Sequence, residues 1–232
     1  FKDIIFISRG DSTLRGHGFL EPQVIHEVLG PFDATFHVPA FFEGGRTTLN
    51  GIHLLNGIPV HTTEFAKDKV FSYSTSNLDK WLEEKSQGKI LAKDVILLKL
   101  SFLENAIGND EGHKNLVNWL LGLSGNVSVV VDAELSIHLD VFSKAIKEVM
   151  NSKRFLFRAS ASLINSLANV PKKALEREEI APLRLTDRFG KVKPGLVMVG
   201  SYISLADKQL EVLLKENKCS GIELPVQKIL KI

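Results

Sequence analysis

Two stretches of the chain concentrate the residue types that hold small charged molecules. The first is Ser8-Arg9-Gly10-Asp11-Ser12-Thr13-Leu14-Arg15-Gly16-His17-Gly18, which follows an apolar run and precedes a segment of helical period. Ser12 and Thr13 bring hydroxyls, Asp11 an acceptor for ligand hydroxyls, and Arg15 a planar fork matched to a carboxylate or phosphate. Gly10, Gly16 and Gly18 let backbone amides approach an anion closely. The second stretch, Pro39-Ala40-Phe41-Phe42-Glu43-Gly44-Gly45-Arg46-Thr47-Thr48-Leu49-Asn50-Gly51, again follows an apolar run and repeats the formula of glycines, an arginine and hydroxyls. Two such loops suit a small polyhydroxylated anion better than an apolar ligand. Each also has a plainer reading, with Asp11 and Ser12 capping the next helix and Arg46 solvated in a glycine-rich connection.

Other residues carry weaker signals. Asp132 closes the run Val129-Val130-Val131, where an aspartate either caps a helix or holds a substrate hydroxyl or a magnesium-bound water. The histidines lack close metal-ligand spacing, so His26, His37, His53 and His113 read as surface or core, with His17 and His61 at a site edge. Trp81 and Trp119 fall in amphipathic segments and read as core.

The elements that must position these residues alternate. Apolar runs rich in Val, Ile and Phe at 4–8, 34–38, 95–100, 127–132, 154–157 and 196–199 are separated by helix-period segments at 19–28, 77–85, 111–121, 137–149, 160–167 and 205–216. That is the pattern of parallel strands covered on both faces by crossover helices, an α/β fold with a mostly parallel sheet. In the first helix Phe19, Val24, Val28 and Leu29 fall near one face, with Gly30-Pro31 as the stop; Thr75 or Ser76 is placed to cap the second. Asn56-Gly57 between apolar residues predicts one β-hairpin over 52–60, because both turn residues must accept positive φ. The reading is a domain over 1–169, a linker over 170–194 carrying Pro171, Pro182 and Pro194, and the beginning of a second α/β domain over 195–232.

Composition narrows the classes. The 232 residues are 44% hydrophobic and 24% charged, with 29 basic against 27 acidic residues and a net charge of +2, so neither disorder nor a nucleic-acid partner is expected. One cysteine, Cys219, makes no internal disulfide, which fits the cytoplasm. Absence of a long apolar run or a basic leader predicts no membrane span and no export. The start at Phe1, directly before an apolar strand, reads as that of a fragment.

Taken in order, the motifs resemble a known family. Asp11-Ser12-Thr13-Leu14-Arg15-Gly16, then Pro39-Ala40-Phe41 leading to Gly45-Arg46-Thr47-Thr48, then Gly57-Ile58-Pro59-Val60-His61-Thr62-Thr63 are similar to the amino-terminal domain of four-carbon acid sugar kinases. The similarity continues through Val130-Val131-Asp132-Ala133, Phe157-Arg158-Ala159-Ser160-Ala161-Ser162 and Val199-Gly200-Ser201 with Gln209. The resemblance implies ATP-dependent phosphorylation, with Mg2+, of an acid such as D-threonate or D-erythronate at its terminal hydroxyl. It implies a substrate site built from Asp11, Ser12, Thr13, Arg15, Gly16, Gly45 and Arg46, with Gly200 and Ser201 towards the nucleotide.

The chain also departs from the family. An early Asp-Asp-x-Thr-Gly-Ala loop has no counterpart, Arg9 stands for a usual lysine, and Tyr202, Ala206 and Asp207 replace the usual His and Thr residues after Gly200-Ser201. The first strand and most of the nucleotide domain are therefore expected to be missing, leaving this chain inactive alone. A non-catalytic sugar-acid-binding module is the alternative, and a secreted effector a third reading without support in the residues. Neither the identity of the acid nor the catalytic base can be read from the residues, and the sequence admits a homodimer.

Overall fold

The computed structural model describes residues 4–169, 175–201 and 203–225. The chain divides into two units, 1–172 and 173–232. In the first, five parallel strands, β1 (Phe6–Arg9), β2 (Ala34–Val38), β6 (Ile96–Leu98), β7 (Val127–Val131) and β8 (Phe155–Ala159), form a sheet in the order β1-β8-β2-β7-β6. Helices α1 (Leu20–Leu29), α2 (Leu78–Ser86), α3 (Leu100–Glu104), α4 (Asp110–Gly122) and α5 (Ser136–Val149) lie between them in sequence, and α6 (Ala161–Ala168) follows β8. The expected α/β class is therefore the observed one.

Alternation along the strands sorts their side chains between two cores. Ala34, Phe36 and Val38 of β2, Val129 and Val131 of β7, and Phe155, Phe157 and Ala159 of β8 enter the larger cluster, with Leu139, Phe142 and Ile146 of α5. Phe36 stacks on Phe157 at 5.4 Å between ring centroids and meets Phe142 and Phe155 edge-on. Val130 joins the smaller cluster instead, with Leu14, Tyr73, Leu78, Trp81 and Leu82. The face of the smaller cluster thus receives the intervening strand residues, among them His37 and Arg158.

A second sheet of three antiparallel strands, β3 (Arg46–Leu49), β4 (Ile52–Leu55) and β5 (Ile58–Pro59), inserts after β2. The Asn56-Gly57 hairpin forms with φ of 50° and 79°, and Asn50-Gly51 makes a second turn of the same kind with φ of 51° and 72°. One hairpin was expected; there are two, because the end of the second motif is itself a strand.

Three further local expectations are corrected. Helix α1 forms, yet Val24, Val28 and Leu29 are exposed and Pro22 is its buried residue, so its apolar stripe does not face the core. Thr75 Oγ1 accepts from the Asn77 amide and Ser76 Oγ donates to or accepts from His61, so neither caps α2. Residues 196–199 form no strand: Leu196 and Met198 are more than four-fifths exposed, and among the described residues of the second unit the one ladder contact is an isolated bridge between Thr186 and Val192. A parallel strand buried on both faces needs neighbours to pair with, and none is present there. That unit contains the helices α7 (Arg177–Ile180) and α8 (Ser204–Leu214).

Candidate functional site

Both motif loops leave the carboxyl ends of strands, β1 for the first and β2 for the second, where open parallel sheets bind ligands. Gly10 N donates to Ala159 O and Ser160 N to Val38 O, carrying the ladder one residue beyond the strands. Within the first loop Asp11 gathers the polar groups. Its Oδ2 accepts from Thr13 Oγ1 and from Arg15 Nε, the latter at 2.8 Å, and Arg15 also lies 3.8 Å from Asp68. Burial works against the charged carboxylate, but the hydrogen bonds from Thr13 and Arg15 and the Arg15 charge hold the Asp11 pKa below its ordinary value.

Two neutral donors clamp the backbone of this loop. Tyr73 donates its hydroxyl to Thr13 O at 2.6 Å, and the His53 ring lies between Ser12 O, 2.8 Å from Nε2, and Thr48 Oγ1, 3.0 Å from Nδ1. A carbonyl can only accept, so the proton sits on Nε2 and Nδ1 accepts from Thr48. Burial lowers the His53 pKa to about 4, which keeps the ring neutral. Leu14, held at φ 65°, takes the left-handed conformation that L-residues avoid, and this clamping maintains it.

The second loop is secured the opposite way. Asp132, fully buried, accepts from the amides of Asn50 at 3.0 Å and Gly51 at 2.9 Å, and from Leu100 N at 3.3 Å. Burial raises its pKa, and the three amides act against that rise. Asp132 therefore ties the small sheet and the start of α3 to the end of β7. Its carboxylate faces the backbone, which is the structural one of its two readings. Gly45 has to be glycine: at φ 72° its missing Cβ would stand 1.9 Å from Asn56 Oδ1.

The loops meet at Phe65. The Arg15 guanidinium lies 5.2 Å and that of Arg46 5.8 Å from the Phe65 ring centroid, so the two arginines, separated by thirty residues of sequence, flank one aromatic side chain. They differ in their partners. Arg46 donates to Gly44 O at 2.6 Å, its buried Nε has no hydrogen-bond partner, and among the described residues no carboxylate lies within salt-bridge distance of it. Ser12, Gly16 and Gly45 sit in the same two loops. Gly200 and Ser201 lie in the second unit, exposed and just ahead of α8. Trp81 is buried as expected, Trp119 packs edge-on against Phe102, and His113 pairs with Glu148 on the surface. Among the described residues there is no cluster of His, Cys, Asp and Glu able to hold a metal, and no helix long and apolar enough to cross a membrane.

The sequence reading missed Phe65 and Tyr73, which position rather than advertise chemistry, while His53, read as surface or core, is fully buried and has a positioning role. It also passed over Thr35 in β2 and Arg158 in β8, polar residues inside otherwise apolar strands; His37, read as surface or core, is buried on the same sheet face.

Fold and loops together define a parallel α/β domain with a polar, cationic strand-end edge. The chain belongs to the family described as sugar-binding N-terminal domain, whose model matches residues 2–167. This agrees with the family that the ordered motifs resemble. Over 67 residues, 29% of this chain and 15% of the relative, it is 41% identical to a D-erythronate kinase of Heliobacterium modesticaldum. Among solved structures it is similar to a Haemophilus influenzae protein from a family of unknown function, with TM-score 0.53 and 18% identity over 71% of this chain and 37% of the other. A Bordetella bronchiseptica protein, also from a family of unknown function and solved with bound citrate as a domain-swapped dimer, gives TM-score 0.51 and 24% identity over 72% of this chain and 36% of the other. The chain thus spans well under half the length of these relatives.

Proposed function

We propose that this chain holds the substrate of a kinase that phosphorylates a four-carbon sugar acid, of the D-erythronate or D-threonate type, at its terminal hydroxyl. The observation that carries the reading is the convergence of Arg15 and Arg46 on Phe65 within a domain of the sugar-binding family. A carboxylate or transferring phosphate set between two guanidiniums gains charge-assisted hydrogen bonds, and Arg46 brings the uncompensated charge. Asp11, Ser12 and Thr13 serve the hydroxyls, while Gly16 and Gly45 keep the loop backbones low. Similarity to a D-erythronate kinase supports an acid over a neutral polyol, and the citrate in the Bordetella relative is likewise a small carboxylate.

Phosphoryl transfer asks mainly for alignment and charge neutralisation, so ATP and Mg2+ belong to a nucleotide region to which 195–232 contributes Gly200 and Ser201. The setting would be the cytoplasm, with a homodimer as one arrangement. The test is calorimetric titration of the 232-residue chain with D-erythronate, D-threonate and erythritol, alongside a coupled ADP-release assay with ATP and Mg2+. Both acids should bind and the neutral tetritol should not, and the chain alone should release no ADP. Equal binding of erythritol would remove the anion role of the arginines. Acid-dependent ADP release would place a complete nucleotide site within these residues, and a whole protein that binds the acids without releasing ADP would be a binding module.

A further inference from the structure

The two arginines of the candidate site are held by different means, and the difference singles out Phe65. Arg15 bonds through Nε to Asp11 and Thr13 and lies 3.8 Å from Asp68. These partners fix its guanidinium whether or not a ligand is present. Arg46 has its backbone secured, since its N–H donates to Phe41 O and its carbonyl accepts from Phe41 N, both at 2.9 Å. Its side chain has far less. Nη1 donates to Gly44 O, Nε is buried without a hydrogen-bond partner, and among the described residues no carboxylate lies within salt-bridge distance. A long cationic side chain in that position gains rotamer freedom and hydration by swinging into solvent, and repulsion from Arg15 favours the same movement. What opposes it is the Phe65 ring, whose π-electrons attract both guanidiniums, with its centroid 5.2 Å from Arg15 Cζ and 5.8 Å from Arg46 Cζ.

The ring can do this because its own segment is pinned on both sides. Phe65 is partly buried and lies in the short 3-10 turn Glu64–Lys67. Ahead of it Thr63 Oγ1 donates to Val60 O at 2.7 Å. Behind it Tyr73 N donates to Ala66 O at 3.2 Å, and Asp68 Oδ1 accepts from the amides of Val70 at 2.9 Å and Phe71 at 3.0 Å. Val60, Ala66 and Tyr73 are buried in the smaller cluster together with Leu14 of the first loop. Phe65 therefore belongs to the same packed unit as Arg15, whereas Arg46 arrives from the small antiparallel sheet. Gly44 leaves room for the second guanidinium, because a Cβ there would collide with Arg46 Nη1.

We infer that Phe65 is a positioning residue of this site: it holds the Arg46 guanidinium beside Arg15 before an anion arrives, so that binding does not have to order that side chain. The inference rests on the sugar-acid reading above for its ligand. Calorimetry with D-erythronate on the 232-residue chain compares Phe65→Leu, which keeps an apolar side chain and removes the π face, with Phe65→Tyr, which keeps both. Phe65→Leu should weaken binding by about fivefold, and Phe65→Tyr should stay within about twofold of the wild type. The loss should persist in an Arg15→Lys background and vanish in an Arg46→Ala background, because Arg15 has anchors of its own. An undiminished loss in the Arg46→Ala background would mean that the ring meets the ligand or only supports the fold, and overturns the positioning role. Equal losses in the leucine and tyrosine variants, or no loss in either, overturn it too. Phe65→Met serves in place of Phe65→Leu if that variant fails to fold. A readout without ligand separates the inference from the sugar-acid reading: the NMR resonance of the Arg46 Nε–H should move in Phe65→Leu and stay near its wild-type position in Phe65→Tyr. If that holds while the wild type binds neither D-erythronate nor D-threonate, the sugar-acid reading falls and the positioning of Arg46 stands. A resonance that Phe65→Leu leaves unmoved overturns the positioning role whatever the chain binds.

Discussion

The two motif loops carry the same residue types and are held in opposite ways. In residues 10–18 the charged side chains pair with each other and with Asp68, while neutral donors, Tyr73 and His53, grip the backbone carbonyls. In residues 39–51 a buried carboxylate, Asp132, grips the backbone amides, and among the described residues the arginine has no carboxylate partner. A loop whose charges are mutually satisfied is preorganised but attracts little; a loop with one unpaired cation attracts but needs an external anchor. The pair divides shape from charge, and His53, bonded to Ser12 and Thr48, couples the two.

That division can be broken at its anchor. Asp132→Ala removes the buried acceptor shared by three amides, and at about 1 kcal/mol net per hydrogen bond a loss of roughly 3 kcal/mol is expected in urea unfolding at pH 7. Retained stability would mean that the Thr48–Ala133 bridge suffices to hold the small sheet.

Arg46→Ala tests where the attraction lies. Removing an unpaired cation from an anion site should weaken D-erythronate by about 100-fold, the equivalent of about 2.7 kcal/mol, with little change in melting temperature. Arg15→Lys sharpens the contrast: the charge stays, but the Nε bonds to Asp11 and Thr13 go. About tenfold weaker binding is expected, together with a small drop in stability, because here the arginine shapes the loop. Larger effects at Arg15 than at Arg46 would reverse the assignment of shape and charge.

A separate test is one of pH. His37 and His53 have pKa values lowered to about 3 and about 4, so below the unfolded value of 6.5 the unfolded chain binds protons that the native one does not. Their contribution is complete above pH 6.5 and is lost as pH falls towards the folded values, by roughly 1 kcal/mol per pH unit for each histidine. Asp132 has a raised pKa and works with the opposite sign, its stabilisation present in acid and lost as pH rises through the folded value. Unfolding measured from pH 7 down to 5 should show the histidine slope, and His53→Gln should reduce it by about half. An unchanged slope would mean that His53 takes up protons in the native state.

The sheet was legible because its strands are continuous apolar runs, and the order of strands and helices follows from them. The two loops were legible from glycine, arginine and hydroxyl content. What escaped depends on contacts distant in sequence. Asp132 is anchored by residues some eighty positions away, and Phe65 joins the arginines from a segment without regular period. The polar sheet face with His37 and Arg158 was written in the strands themselves, since a polar residue at alternate positions of a buried strand marks one face. That signal is hidden when the run is read as uniformly apolar. Residues 196–199 show the converse error: an apolar run is a strand only when partners exist, and a local sequence does not declare them.

The position of β1 in the sheet has a consequence for biosynthesis. It is the first of the described strands, and its one neighbour in the ladder is β8, the last, with Phe6 aligned to Leu156. At ribosomal rates of ~5–20 residues per second, about 150 residues of delay leave that apolar strand waiting roughly 8–30 s for its mate. Through that interval neither the Gly10–Ala159 bond nor the bonds of Arg158 to Ser8 and Glu21 exist, so the first loop gains these anchors together, late, when residues 155–160 clear the exit tunnel. Nascent chains stalled before residue 155 should therefore be the ones that chaperones hold.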